Sequence, residues 1–158
     1  MRPPEFRPLP FEGDERFVRD QATGLVWHRV STRPLYADTD RSQVVYHANY
    51  LRYFELGRVT LMRDTGYSYR EVEDQGFVYP IIDLAIRFHL PIFYDDLIWV
   101  HTRPSELDRI RVGFQYLVTR DDGSPACSGH TRHCALNARR IPTPVDPLTV
   151  TMWKRFPT

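Results

Sequence analysis

One stretch of this chain changes period, and it limits the fold more than any other feature. From about Ala48 to Thr65, Tyr50, Phe54, Gly57 and Leu61 recur at helical spacing, with Leu51, Tyr53 and Met62 beside them. Arg52, Arg58 and Arg63 fall mostly off that stripe, as expected of a helix with one apolar face. The later part of the chain is strand-like. Residues 82–88 and 97–102 give two apolar runs with Pro91 between them, and Ile110, Val112, Phe114, Tyr116 and Val118 alternate with their neighbours. Asp121-Asp122-Gly123 then predicts a tight turn into a last strand from about Ala126 to Asn137. A further strand is expected before the helix, from Val26 to Tyr36, with Pro34 favouring an edge or a bend. Ser68 followed by Glu71 is a capping-box pattern for a second, short helix ending near Gly76, and Gly66 suits the residue after the long one. One long apolar helix and one antiparallel sheet bury each other only if the sheet wraps the helix, which makes the class α+β. One helix on one face leaves an edge or a second face uncovered, so an oligomer is expected.

The ends are expected to lie outside this unit. Residues 1–24 carry four prolines up to Gln21 and predict an extension, either an arm or a hairpin. For the hairpin, Phe17-Val18 and Leu25-Val26-Trp27 would flank Ala22-Thr23-Gly24. Residues 25–140 would form the main domain, and Pro142, Pro144 and Pro147 would end regular structure and leave a tail over 141–158.

Composition excludes more than it assigns. At 158 residues and 42% hydrophobic, the chain is one globular domain rather than a disordered segment. Twenty-one basic residues face twenty acidic ones, which calls for neither a nucleic-acid nor a membrane partner. Lys154 is the only lysine, and the remaining basic residues are arginines. Genomic codon bias accounts for this, and bidentate phosphate binding by some of them is compatible with it. Cys127 and Cys134 lie seven apart in one expected strand and so face opposite sides, which makes them free thiols of a reducing compartment. With no apolar stretch resembling a signal or a membrane span, the expectation is a soluble, cytoplasmic protein.

The segment 36–51, Tyr-Ala-Asp-Thr-Asp-Arg-Ser-Gln-Val-Val-Tyr-His-Ala-Asn-Tyr-Leu, joins a strand end to the start of the long helix. Free N–H groups and the positive dipole end at a helix start can hold an oxyanion, while a nearby carboxylate serves as base or nucleophile. Asp40, seven residues before His47, could face those donors. Taken singly and on physics alone, Asp38, Thr39 and Asp40 are better explained as turn and capping residues, and His47 as a hydrogen bonder at a helix start. Glu55 is equally well explained as a surface partner for Arg52 or Arg58.

Asp-Thr-Asp followed by Val-Val-Tyr-His-Ala-Asn-Tyr-Leu-Arg-Tyr-Phe-Glu and Arg58 resembles the 4-hydroxybenzoyl-CoA thioesterase family, and within it the Tol–Pal-associated and long-chain acyl-CoA subgroup. The motif spans about Tyr36 to Arg58, and the family's element order fits roughly residues 26–140. The resemblance implies a hotdog fold, a curved antiparallel sheet around one long helix, in dimers or tetramers with active sites at the subunit interface. It implies hydrolysis of an acyl-CoA to free acid and CoA, with Asp40 as general base or nucleophile. His47 would act through its backbone N–H and its imidazole, and Tyr36 would support Asp40. Tyr50 and Glu55 match helix positions that line the pocket. Where the family commonly has glycine this chain has Gln43. If that position needs a positive φ, glutamine is strained there or the loop takes another path; otherwise it adds a polar group beside the substrate.

No cofactor is implied, because CoA is part of the substrate and thiolate leaves readily without a metal. His101, His130 and His133 could suggest a metal site, but His130 and His133 fall on opposite faces of a strand. Arg87, Arg109, Arg132, Arg139 and Arg140 are candidates for CoA phosphates by their positions near strand ends or along late strands, and each is also an ordinary surface arginine. Two other functions share the resemblance: a non-catalytic module that binds acyl thioesters, and a thioesterase acting on carrier-protein-bound acyl groups.

Overall fold

The structure, a computed structural model, describes residues 2–158. Seven strands form one antiparallel sheet: β1 (Pro8–Phe11), β2 (Asp14–Asp20), β3 (Val26–Thr32), β4 (Ile81–Phe88), β5 (Ile98–Leu107), β6 (Arg111–Arg120) and β7 (Pro125–Cys134). Their order across the sheet is β1-β2-β3-β5-β6-β7-β4. The helices are α1 (Tyr50–Asp64), α2 (Tyr69–Asp74) and α3 (Pro147–Arg155).

Helix α1 lies against one face of the sheet, over β3, β5 and β6. Its stripe is buried as the periodicity requires, with Tyr50, Tyr53, Phe54, Gly57, Leu61 and Met62 all in the core. Gly57 is where helix and sheet come closest. A Cβ there would run into Thr102 Oγ1 and stand 2.8 Å from Val100 Cγ1, so only glycine lets the two backbones approach. Three residues earlier, Phe54 stacks on Tyr116 of β6 with ring centroids 4.3 Å apart. Gly66, at φ +112, ends the helix. Helix α2 begins with the expected capping box, Ser68 and Glu71 each bonding the other's backbone amide.

The termini belong to the same unit. Strands β1 and β2 extend the sheet, and the β2–β3 hairpin pairs Val18 with Trp27. Residues ahead of β1 cross the outer face, where Phe6 packs edge-on to Trp27 and His101. The expected C-terminal tail is instead helix α3. Asp146 is its N-cap, accepting from Thr149 N at 3.0 Å, and Pro147 is its first residue, where a missing N–H costs nothing. Met152 and Phe156 are buried, the latter against Phe17. Prolines 142 and 144 do break regular structure, but Pro147 starts it.

Strand β5 runs further than its apolar stretch suggested, through Pro104 to Leu107. Its pairing with β3 stops at Thr102, so Pro104 withholds no hydrogen bond from that neighbour. Strand β4 pairs with β7 along one side only and forms an open edge. It exposes Ile81, Ile82, Leu84 and Phe88. Cys127 and Cys134 are free, and burial pushes the Cys127 thiol up to about 12. Among the described residues no helix is long and apolar enough to cross a membrane.

Candidate active site

The segment before α1 is a short hairpin locked to the helix by Asp38. Asp38 is buried and its carboxylate accepts from Leu35 N at 2.8 Å, Arg52 Nη1 at 2.7 Å and the Tyr53 hydroxyl at 3.3 Å. Burial, reinforced by that carboxylate, holds the Tyr53 phenol well above its ordinary range, so it stays a donor. The Asp38 carbonyl accepts from Tyr46 N and from Asn49 Nδ2. Val45 N donates to Ile92 O, which docks the hairpin on the loop before β5.

Asp40 sits at the tip, exposed, with Oδ1 accepting from Ser42 N at 2.7 Å. Among the described residues its other oxygen has no partner. The turn is closed by Gln43 N donating to Asp40 O at 2.9 Å and Asp40 N donating to Val44 O at 3.0 Å. This geometry places its fourth residue in the left-handed region, and Gln43 has φ 66°. Gln43 thus occupies a backbone conformation that favours glycine, as the expectation of a positive φ at this position requires. The same frame recurs twice. Arg120 to Ser124 closes with equivalent bonds around Gly123, and Asn137 to Ile141 does so around Arg140, at φ 62°.

Beyond the hairpin, His47 opens a turn of 3-10 helix, His47–Asn49, that runs directly into α1. His47 and Ala48 are exposed, and their amides donate to no other group among the described residues. They present the positive end of the helical segment. The His47 ring is exposed and lies 4.2 Å from the Tyr46 ring. Beside it is a cleft of about 240 Å³ lined by Val44, Val45, His47, Tyr50, Phe88, His89, Leu90 and Pro91. Tyr50 and Phe88 meet edge-on at its wall, 5.1 Å between centroids.

The structure brings His47 and Tyr50 to this cleft and places Asp40 and Gln43 in the turn that leads to it. The other expected residues lie elsewhere. Tyr36 is exposed and packs edge-on against Tyr94, with no hydrogen bond to Asp40. Glu55 lies one turn further along α1, exposed, and lines other cavities. Arg132 is bidentate to Glu106 and 3.5 Å from Asp83. Arg109, Arg139 and Arg140 are exposed in turns, and none of the four borders the cleft. His130 and His133 do face opposite sides: His130 contacts Asp83, whereas His133 is buried against Thr131 and Tyr79. Phe88, His89 and Leu90 escaped sequence reasoning. They precede β5 by pattern alone, and only the pairing of β4 with β7 carries them to the helix start.

Residues 34–150 match the family model described as the thioesterase-like superfamily. The chain is 32% identical over 117 residues to a 1,4-dihydroxy-2-naphthoyl-CoA hydrolase of Thermosynechococcus vestitus, covering 72% of this chain and 80% of that protein. It is 33% identical over 90 residues to the acyl-CoA thioesterase YbgC of Haemophilus influenzae, covering 56% and 66% respectively. Among solved structures, a DHNA-CoA thioesterase from Staphylococcus aureus superposes with a TM-score of 0.77 at 27% identity, over 82% of this chain and 89% of that one. A family match that spans the hairpin, α1 and all four strands after it leaves one conclusion: the chain belongs to the thioesterase-like superfamily.

Proposed function

We propose that this chain hydrolyses acyl-CoA thioesters to the free acid and CoA at the cleft beside His47. The observation that carries this reading is the pairing of an exposed carboxylate, Asp40, with the unpartnered amides of His47 and Ala48 on one short hairpin–helix unit. The thioester oxygen is held at the helix start, where the N–H groups and dipole stabilise the negative charge that develops on it. Asp40 takes the proton from an attacking water, or itself attacks the carbonyl carbon to give a mixed anhydride that water opens. A C–O bond forms, the C–S bond breaks, and the departing thiolate takes a proton. Tyr50, Phe88 and Leu90 supply apolar surface for the acyl group. The names of the relatives support CoA thioesters as the substrate class.

The open, apolar edge of β4 supports pairing of two copies through that strand, which would set the cleft of each against its partner. Release of CoA thiol across aryl and fatty acyl-CoA thioesters tests the reading. Asp40→Ala should lower turnover on the preferred substrate by roughly 10²–10⁴-fold with an unchanged fold. Wild-type turnover by that variant would overturn it.

A further inference from the structure

A second cavity, of about 230 Å³, lies between α1, α2, α3 and the sheet and shares no lining residue with the cleft at His47. Most of its wall is apolar or aromatic, including Val59, Met62, Val112 and Phe114. Two charged side chains line it among the described residues, the half-buried Arg58 and the exposed Glu55.

The polar groups around Arg58 form a chain with a fixed direction. Arg58 Nη1 donates to the Tyr116 hydroxyl at 3.0 Å, which is 2.6 Å from Thr131 Oγ1, itself 2.9 Å from His133 Nε2. His133 Nδ1 lies 3.0 Å from Tyr79 O, a carbonyl that can only accept. Every link is satisfied if Tyr116 donates to Thr131, Thr131 to Nε2, and a neutral His133 donates from Nδ1. Burial, with the Arg58 charge adding to it, holds His133 down at about 4, so the neutral ring is the form present. Asp146, which is not part of the wall, accepts from the Tyr79 hydroxyl and from Thr149 N and Oγ1. Glu55, one turn before Arg58, forms no ion pair with it among the described residues.

The chain therefore uses one N–H of Arg58 and leaves Nε and Nη2 with no partner among the described residues. A half-buried guanidinium with a free fork, set in an apolar pocket, is complementary to a carboxylate carried on an apolar body. We propose that this cavity binds a small aliphatic or aromatic carboxylic acid, its carboxylate on Arg58 and its body among Val59, Met62, Val112 and Phe114. An amine is disfavoured by Arg58, and an uncharged molecule leaves the guanidinium unpaired. This site is independent of whether the cleft at His47 hydrolyses thioesters.

Titration of the full chain with benzoate, hexanoate and octanoate, followed by calorimetry and NMR, tests this. The amide and alcohol counterparts serve as uncharged probes. At least one acid should bind saturably, shift the Phe114 and His133 resonances, and bind about tenfold or more tighter than its amide. Arg58→Met should weaken it by a similar factor, and Arg58→Lys should recover part of the loss. Val59→Phe, which fills the cavity and keeps the guanidinium, should abolish binding, and it decides the matter if Arg58→Met does not fold. Asp40→Ala should leave binding unchanged. The proposal is overturned if no acid binds saturably, if binding survives Val59→Phe, or if Asp40→Ala abolishes it.

Discussion

Asp40 and Asn137 hold the same position in two turns of the same design: each side-chain Oδ1 accepts from the amide two residues on, at 2.7 Å and 2.9 Å. The backbone bonds that close the two turns also match. Asparagine thus performs the whole structural task that the hairpin asks of Asp40, and only a carboxylate can act as base or nucleophile. Asp40→Asn should leave the thermal unfolding midpoint within the range of a neutral surface change, about 0.5 kcal/mol. In the same sample, CoA thiol release should fall by at least about a hundredfold. A variant that lost stability and activity together would show Asp40 to be a turn former alone.

Gln43 carries strain that Gly123 avoids in an identical frame. A left-handed backbone costs a non-glycine residue roughly 1–2 kcal/mol, offset in part by the entropy glycine loses on folding. Gln43→Gly should therefore raise stability by about 0.5–1 kcal/mol in urea titration. The companion change Gly123→Gln should lower it by a similar amount, since nothing lies within 4 Å of a Cβ at Gly123.

Gly57→Ala should be far more damaging than its one methyl group suggests. The new Cβ meets Thr102 and Val100 of β5, a buried strand that cannot withdraw from the helix without losing its own pairing. Overpacking of this kind costs about 1–3 kcal/mol, and helix propensity returns less than about 1 kcal/mol. A net gain in chemical stability would contradict the close approach.

Two buried histidines make stability depend on pH in one direction. Burial lowers both His101 and His133 to about 4 from an ordinary value of 6.5. The unfolded chain takes up those protons near 6.5 while the native fold refuses them until about 4, so stability is complete above 6.5 and declines as pH falls through that window. The expected slope is roughly 1.4 kcal/mol per pH unit for each histidine. Urea unfolding at pH 7 and pH 5 should show it, with a shallower slope for His133→Asn.

Much of this fold was legible because its signals are local. The α1 stripe, the Ser68–Glu71 box, Gly66 and the Asp121–Gly123 turn each depend on residues within a turn or two of one another. Strand order was not legible, because alternation marks a strand without naming its partner. That is why the contribution of Phe88 to the cleft went unseen. Helix α3 was hidden by its own start signal: Pro147 breaks a helix anywhere but at its first position, and Asp146 ahead of it was the clue. At the site, the spacing of Asp40 and His47 was readable, whereas the anchoring of Asp38 depends on Arg52 and Tyr53, fourteen and fifteen residues away. The supporting contact expected of Tyr36 has no counterpart in the structure.

Phe88 closes β4 and also walls the cleft at His47. A side chain shared by a sheet edge and a pocket ties the state of one to the shape of the other. If β4 is where two copies meet, dilution would act on this protein as an inhibitor does, loosening the pocket wall as the pair comes apart. Specific activity would then report association, rising with protein concentration until every edge is taken.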